Sequence, residues 1–344
     1  WEIDLFGRVR RSIEVAAADL DAQVEDLRGV QIALIAETVS NYLQIRSLQE
    51  RIAIAAFNVE SQRQSQALTD DRFRAGMTAG LDPAQAEINL FSTRATVPGL
   101  KLQLRSAIYR ISVLTGRDPL TLLERLEEEQ PLPQFPTSLN VGIPADLLRN
   151  RPDIRAAERR LASQTALVGV AEARRYPAVS LSGAWTWLAS TADGLFDSDA
   201  SETGDIGPAV SIPIFNAGRL RAQVSAEEAG VRQLELSLRA LVLEAQEEVE
   251  NALAAIVFDR EQLEMLRGAS GAASRAVELS RDLYTAGQSD FQNVLDAERS
   301  LFSLQDDVAL ARLSLLIDVV DLYRSLGGGW ARSESDEFDT TAGQ

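Results

Sequence analysis

All 11 prolines of this 344-residue chain lie between Pro83 and Pro213, so residues 1–82 and 214–344 contain none. Proline removes a backbone donor and clashes with the preceding turn, which confines long helices to stretches that lack it. Two Pro-free arms around a Pro-bearing middle predict two long helical systems joined through a structured break. The apolar pattern agrees. From Arg8 to about Arg74, Ile13, Leu20, Leu27, Leu34, Leu48 and Ala55 recur at multiples of seven, beside Ala17, Val24, Ile45, Ile52 and Val59. The two series stand four apart, as the seams of a coiled-coil stripe do, with Gln31, Thr38 and Asn41 interrupting them. A helix of that extent is about 100 Å long. Residues 216–286 repeat the pattern, with Val242, Val249, Ile256 and Leu263 beside Val231, Leu238, Ala245 and Ala252.

The arms are copies. A shift of 211 residues pairs Gly7-Arg8-Val9-Arg10 with Gly218-Arg219-Leu220-Arg221, and Phe73-Arg74-Ala75-Gly76 with Tyr284-Thr285-Ala286-Gly287. The same shift pairs Ala86-Glu87 with Ala297-Glu298, Leu90-Phe91-Ser92 with Leu301-Phe302-Ser303, and Gly116 with Gly327. Chance similarity between heptads matches leucines; it does not keep glycines, arginines and aromatics in one ungapped register. Each copy reads as long helix, tight turn, second helix. The turns are Ala75–Gly80 and Ala286–Ser289, with Asp82-Pro83 and Ser289-Asp290 as helix N-terminal signals. The second helices are predicted over about 83–115 and 290–326, the first bent at Pro98, the last ended by Gly327-Gly328-Gly329. In the middle, a short helix over Leu120–Glu129 precedes the rigid connection Pro131–Pro136, and another helix covers about Ala145–Arg174.

After Tyr176-Pro177 the period changes. Val179, Leu181, Gly183, Trp185 and Trp187 alternate with Ser180, Ser182, Ala184 and Thr186; Ile206, Pro208, Val210, Ile212 and Ile214 alternate with Asp205, Gly207, Ala209 and Ser211. Two strands of roughly ten residues flank a polar loop, Ser190–Gly204, and such strands cross a bilayer when tilted. Trp and aliphatic groups share one face and small polar groups the other, as in a barrel with lipid outside and a lumen within. On the strands alone, a soluble hairpin with one face on a core stays open. Two strands cannot close a barrel, and open edges are forbidden in lipid. The chain opens on Trp1-Glu2-Ile3-Asp4-Leu5, the alternation of a strand already under way and, by the repeat, the end of a strand equivalent to 206–216. The first copy's hairpin, with any targeting segment, is then expected upstream. Four strands per chain require several chains to share one barrel.

The expected fold is therefore mainly α with a small β part: long antiparallel coiled-coil helices, plus hairpin strands contributing to a shared transmembrane β-barrel. Its divisions are a strand end (1–6), a first helical hairpin (7–116), a short helix with Pro-rich linker (117–143), a helix leading to the barrel (144–176), the transmembrane hairpin (177–215), a second helical hairpin (216–329) and a flexible acidic tail (330–344).

Composition removes most chemistry. With neither His nor Cys there is no Cys or His nucleophile, no Cys/His zinc site, no Ser-His-Asp triad and no disulfide. No enzyme activity, cofactor or metal is expected. A net charge of −17 argues against nucleic acid as a partner. The run Glu127-Glu128-Glu129 reads as a solvated face. A soluble coiled-coil scaffold would explain the heptads and the acidity, but not the alternating strands with two tryptophans on one face.

Four segments carry a resemblance: Trp1-Glu2-Ile3-Asp4-Leu5-Phe6-Gly7-Arg8; Leu147-Leu148-Arg149-Asn150-Arg151-Pro152-Asp153-Ile154-Arg155-Ala156-Ala157-Glu158; Pro213-Ile214-Phe215-Asn216-Ala217-Gly218-Arg219; and Leu326-Gly327-Gly328-Gly329-Trp330. With them the chain, over residues 1–330, resembles the TolC-type outer-membrane efflux factors, in particular the lipoprotein branch that serves RND-type multidrug pumps. The resemblance implies a homotrimer in the outer membrane of a Gram-negative bacterium. Its twelve-stranded barrel would continue into a periplasmic α-barrel docked to an adaptor (membrane fusion) protein and an inner-membrane RND-type pump. It further implies a lipid anchor upstream and passive export of drugs or other small molecules; a conduit for type I protein secretion is the rival within transport. The family's constriction lies in the second hairpin, in a motif matched by Leu295-Asp296-Ala297-Glu298-Arg299, which carries Asp296 and Arg299 over as periplasmic gate residues. Gln292 joins them at a position where the family often has an apolar residue. All three differ from their repeat partners, Gln85, Ile88 and Leu81. The alternative for Asp296 and Arg299 is an i,i+3 surface pair. Gly76, Gly80, Leu81, Asp82, Gly287, Ser289 and Asp290 are expected to contact the adaptor, and Trp185 and Trp187 the lipid.

Overall fold

A computed structural model describes residues 1–135, 150–188 and 201–328, apart from the side chains of 187, 188, 201 and 202. The Trp187 side chain, the end of the Pro-rich linker, the expected start of the following helix, most of the polar loop, Gly329-Trp330 and the acidic tail lie outside the described residues. In chain order the elements are β1 (Glu2–Ile3), α1 (Arg8–Arg74), α2 (Leu81–Leu114), α3 (Leu123–Glu127), α4 (Pro152–Ala173), β2 (Ala178–Leu188), β3 (Ser201–Ser211), α5 (Arg219–Thr285) and α6 (Phe291–Ser325). The chain divides into two compact units, residues 1–29 with 148–244, and residues 30–147 with 245–344.

The first unit holds one antiparallel sheet in the order β1-β2-β3. Val179 stands opposite Val210, Leu181 opposite Pro208, Gly183 opposite Ile206 and Trp185 opposite Gly204, so the apolar sets of both strands share a face. On the other face Ser180 meets Ala209, Ser182 meets Gly207 and Thr186 meets Thr203. A methyl group at Gly204 would meet the Trp185 ring at 2.4 Å, so only glycine lets the indole lie across the strand there. The register differs from expectation at both ends of β3. Ser201–Gly204 belong to the strand rather than the loop, drawn in by pairing with Leu188–Trp185, and Ile212 and Ile214 fall beyond it. Pro213 has no N–H to continue the ladder. β1 pairs with β2 through Glu2 opposite Ser180 and Ile3 opposite Val179.

In the same unit the Arg-Pro-Asp-Ile-Arg motif builds the start of α4. Pro152 takes a first-turn position, and Arg151 clamps Asp153 at 3.1 and 2.7 Å. Burial pulls the Asp153 carboxyl upward, but the Arg151 guanidinium and the Ile154 N–H outweigh it and hold the group below the usual carboxylate range. Arg155 reaches the buried Glu25 of α1 at 2.8 Å, and Arg28 meets the same carboxylate at 2.9 Å.

In the second unit, Ile45, Leu48 and Ala55 of α1 pack on Leu100, Leu104, Ala107, Ile108 and Ile111 of α2, with Leu122 and Leu126 closing the cluster. α2 runs through Pro98 as one helix. The helix expected over Leu120–Glu129 shrinks to the five residues of α3. Turn bonds hold its approach, Thr121 N–H to Asp118 O at 3.0 Å and Leu123 N–H to Leu120 O at 3.2 Å. Its last carbonyls are taken by buried side chains of α1: Gln49 donates to Leu126 O at 2.9 Å and Arg46 to Glu128 O at 2.8 Å.

Candidate functional site

Both helical turns are built alike. Gly76 and Gly287 adopt φ of 69° and 71°, the left-handed conformation that ends a helix and that side chains resist. The Met77 N–H then bonds back to Arg72 O at 2.9 Å, and the Gln288 N–H to Leu283 O at 2.8 Å. Beyond the second turn, α6 separates its residues by face. Phe291, Val294, Leu295, Glu298 and Leu301 are buried, whereas Gln292, Asp296 and Arg299, spaced four and three apart, form one exposed stripe. Gln292 donates to Asp296 at 2.9 Å. Arg299 donates through Nε to Asn89 Oδ1 of α2 at 3.2 Å. The three expected gate residues are thus neighbours, but Arg299 engages the first hairpin rather than Asp296.

The expected adaptor-contacting residues Gly76, Gly80, Leu81, Gly287 and Asp290 are exposed, as is Met77, while Ser289 is half-buried and receives Asn293 Nδ2 at 2.8 Å. Asp82 is not the helix cap expected. The helix begins two residues earlier than expected, at Leu81 with Gly80 at the cap, and Asp82 sits in its first turn, where the helix dipole favours an anion. Its carboxylate accepts the Thr78 hydroxyl and, at 2.9 Å, the hydroxyl of Tyr284. Tyr284 is buried against Phe291, with ring centroids 5.2 Å apart, and Arg72 stacks over its ring at 4.7 Å while donating to Thr285 O at 2.8 Å. Burial, then the hydrogen bond to Asp82, push the Tyr284 phenol above its ordinary value, so it stays a donor at physiological pH.

One further cluster went unseen in the sequence. Glu298 is buried and receives Ser65 at 2.5 Å, Asn89 Nδ2 at 3.0 Å and Arg281 at 2.7 Å. Arg281 also donates to the Ser61 hydroxyl at 2.6 Å. These donors come from α1, α2 and α5, so a single carboxylate joins all four long helices. The legible signal was divergence across the repeat. Tyr284 replaces Phe73, and Arg281 replaces Asp70, each gaining a polar group that its counterpart lacks. The arrangement can tie helices together or release them. Among the described residues no group of acidic side chains is placed to hold a metal ion, and no helix is long and apolar enough to cross a bilayer.

Known proteins resemble this chain over most of its length. The profile described as "Outer membrane efflux protein" matches residues 1–117 and 143–328. Nodulation protein T of Rhizobium leguminosarum bv. viciae is 36% identical over 336 residues, covering 96% of this chain and 68% of its own. Outer membrane protein OprJ of Pseudomonas aeruginosa is 32% identical over 342 residues, covering 97% of this chain and 70% of its own. The solved outer-membrane channel OprN superposes with a TM-score of 0.87 at 41% identity, over 96% of this chain and 74% of that one. The chain spans about two thirds of the length of the curated relatives it matches.

Proposed function

The chain belongs to the outer membrane efflux protein family and is part of an outer-membrane efflux channel, and from that premise we propose that it supplies the exit duct of a tripartite efflux system, passing drugs or other small molecules outward. The observation that carries the reading is the sheet. Among the described residues β1 and β3 each pair on one side only, and the sheet divides Trp and aliphatic groups from small polar ones. In lipid such edges must be closed by further strands. Three copies sharing one barrel supply that closure, with Trp185 toward the lipid and the serines and threonines toward the lumen. A lipid anchor upstream would fix the same orientation.

The helical turns are the second working region. Exposed Met77 and Leu81 beside Gly76 and Gly80, with Gly287, Ser289 and Asp290 on the second turn, offer an adaptor protein a surface of small and apolar groups. Asp296, Arg299 and Gln292 of three copies form the periplasmic gate, a ring of charged contacts that adaptor docking, driven by an inner-membrane RND-type pump, shifts toward an open population.

The full-length protein should leave the outer-membrane fraction only in detergent, run as a trimer and conduct ions in planar bilayers. Replacing Asp296 and Arg299 together by alanine should raise single-channel conductance severalfold. A soluble monomer would reject the channel, and unchanged conductance in the double variant would reject the gate.

A further inference from the structure

Only 3% of Glu298 is exposed. A carboxylate so buried is tolerated only where donors replace its water, because an uncompensated one costs several kcal/mol. The replacement is complete and divided between its two oxygens. Oε1 accepts Ser65 at 2.5 Å and Arg281 at 2.7 Å, while Oε2 accepts Asn89 Nδ2 at 3.0 Å. That last bond decides which way the Asn89 amide points. With Nδ2 committed to Glu298, Oδ1 is turned to the opposite side, where it accepts Arg299 Nε at 3.2 Å. An amide flipped by half a turn would aim a donor at the guanidinium and hold nothing.

The repeat shows that ordinary helix packing does not demand this chain of bonds. Glu87, the counterpart of Glu298, is exposed. The counterparts of Ser61, Ser65, Asn89, Arg281 and Arg299 are Ala272, Ala276, Ser300, Asp70 and Ile88. Each of these groups differs between copies, and each difference serves the one buried acid, the Arg281 that donates to it or the Arg299 beyond Asn89.

We propose that Glu298 and Asn89 are positioning residues of the gate: the buried carboxylate sets the orientation of the Asn89 amide, and the amide holds Arg299 at its post. This rests on reading Arg299 as a gate residue. Neither Glu298 nor Asn89 touches the exported molecule; both act through Arg299.

The test uses the full-length protein in planar bilayers, each variant first confirmed as a trimer. Arg299→Ala reports the gate itself. Glu298→Gln keeps size and shape but sets a donor against Asn89 Nδ2, and Asn89→Ala removes the intermediary; each should raise single-channel conductance by about the same factor as Arg299→Ala. The decisive variant combines Glu298→Gln with Asn89→Asp. There the glutamine amide donates to one oxygen of the new carboxylate, the other oxygen accepts Arg299, and the charge of the cluster is conserved, so conductance should return to that of the unaltered protein. Loss of packing alone would not be repaired by this exchange. Raised conductance in Arg299→Ala with unaltered values in Glu298→Gln and Asn89→Ala overturns the proposal and leaves the gate standing. An Arg299→Ala channel that conducts like the parent overturns both. Failure of the combined variant to restore closure overturns the orienting role, and if Glu298→Gln alone does not assemble, Asn89→Ala and the combined variant decide.

Discussion

Tyr284 and Phe73 occupy the same place in the two copies and differ by one oxygen. That oxygen lies 2.9 Å from Asp82 and ties the turn of the second hairpin to that of the first. Tyr284→Phe keeps the ring under Arg72 and against Phe291. Only the hydrogen bond to Asp82 is lost, worth about 1 kcal/mol. Local opening of the turns should therefore become roughly fivefold more frequent, read as faster hydrogen exchange over residues 76–82 and 287–290. Exchange at the parental rate would show that the hydroxyl does not restrain the turns. The pairing was half legible in the sequence. The Phe/Tyr difference stands out once the copies are aligned, but nothing along the chain says that Asp82, which has the look of a cap, turns its carboxylate toward a residue 202 positions away.

At the level of elements, the long helices were readable because heptads persist over many turns and prolines bound them. Their ends and their contacts were less so. β3 gained Ser201–Gly204, a segment without apolar alternation, because pairing with β2 extends it where pattern alone does not. α3 lost its flanks to turn bonds and to capping by Arg46 and Gln49, interactions that no local pattern carries. The pairing of acids between helices is equally invisible in sequence. Asp318 of α6 faces Asp259 of α5, and its Oδ2 is buried with no donor in reach. Burial first, and the facing charge of Asp259 second, push the Asp318 carboxyl up to about 6 from an ordinary 3.8. The folded chain then binds a proton more tightly than the unfolded one, so stability falls as pH climbs from about 4 to about 6, and the full penalty applies above that. Asp318→Asn supplies a permanent donor. It should stabilise the protein by ~1–2 kcal/mol above pH 7 and change little near pH 4. Thermal melts at the two pH values check this, and an equal shift at both would remove the carboxyl from the explanation.

For the whole molecule, the seam that reads as one stripe in the sequence divides in two. Leu48 and Ala55 are buried, yet Ile13, Leu20 and Leu27 are 62, 64 and 58% exposed. On α5, Leu236 and Leu243, also seven apart, are 68 and 58% exposed. Single apolar side chains on a surface need no explanation, but rows at heptad spacing do. The sheet is incomplete in the same sense, and the proposed trimer would cover both. Burying a leucine contributes about 2 kcal/mol, so these rows supply several kcal/mol per chain toward association. Charge opposes it, since chains of −17 each repel one another when brought together. Two consequences follow for the proposed trimer in detergent. Leu20→Gln with Leu27→Gln, which changes no charge, should raise the monomer fraction several-hundredfold if about 2 kcal/mol is lost at each position. Raising salt from about 0.05 to 0.5 M shrinks the Debye length below 10 Å and should shift the parental protein toward trimer. Native electrophoresis and light scattering read both. An unaltered trimer in the double variant would mean that the α1 row faces something other than another copy, and a trimer that dissociates as salt rises would mean that paired charges, not apolar rows, hold the copies together.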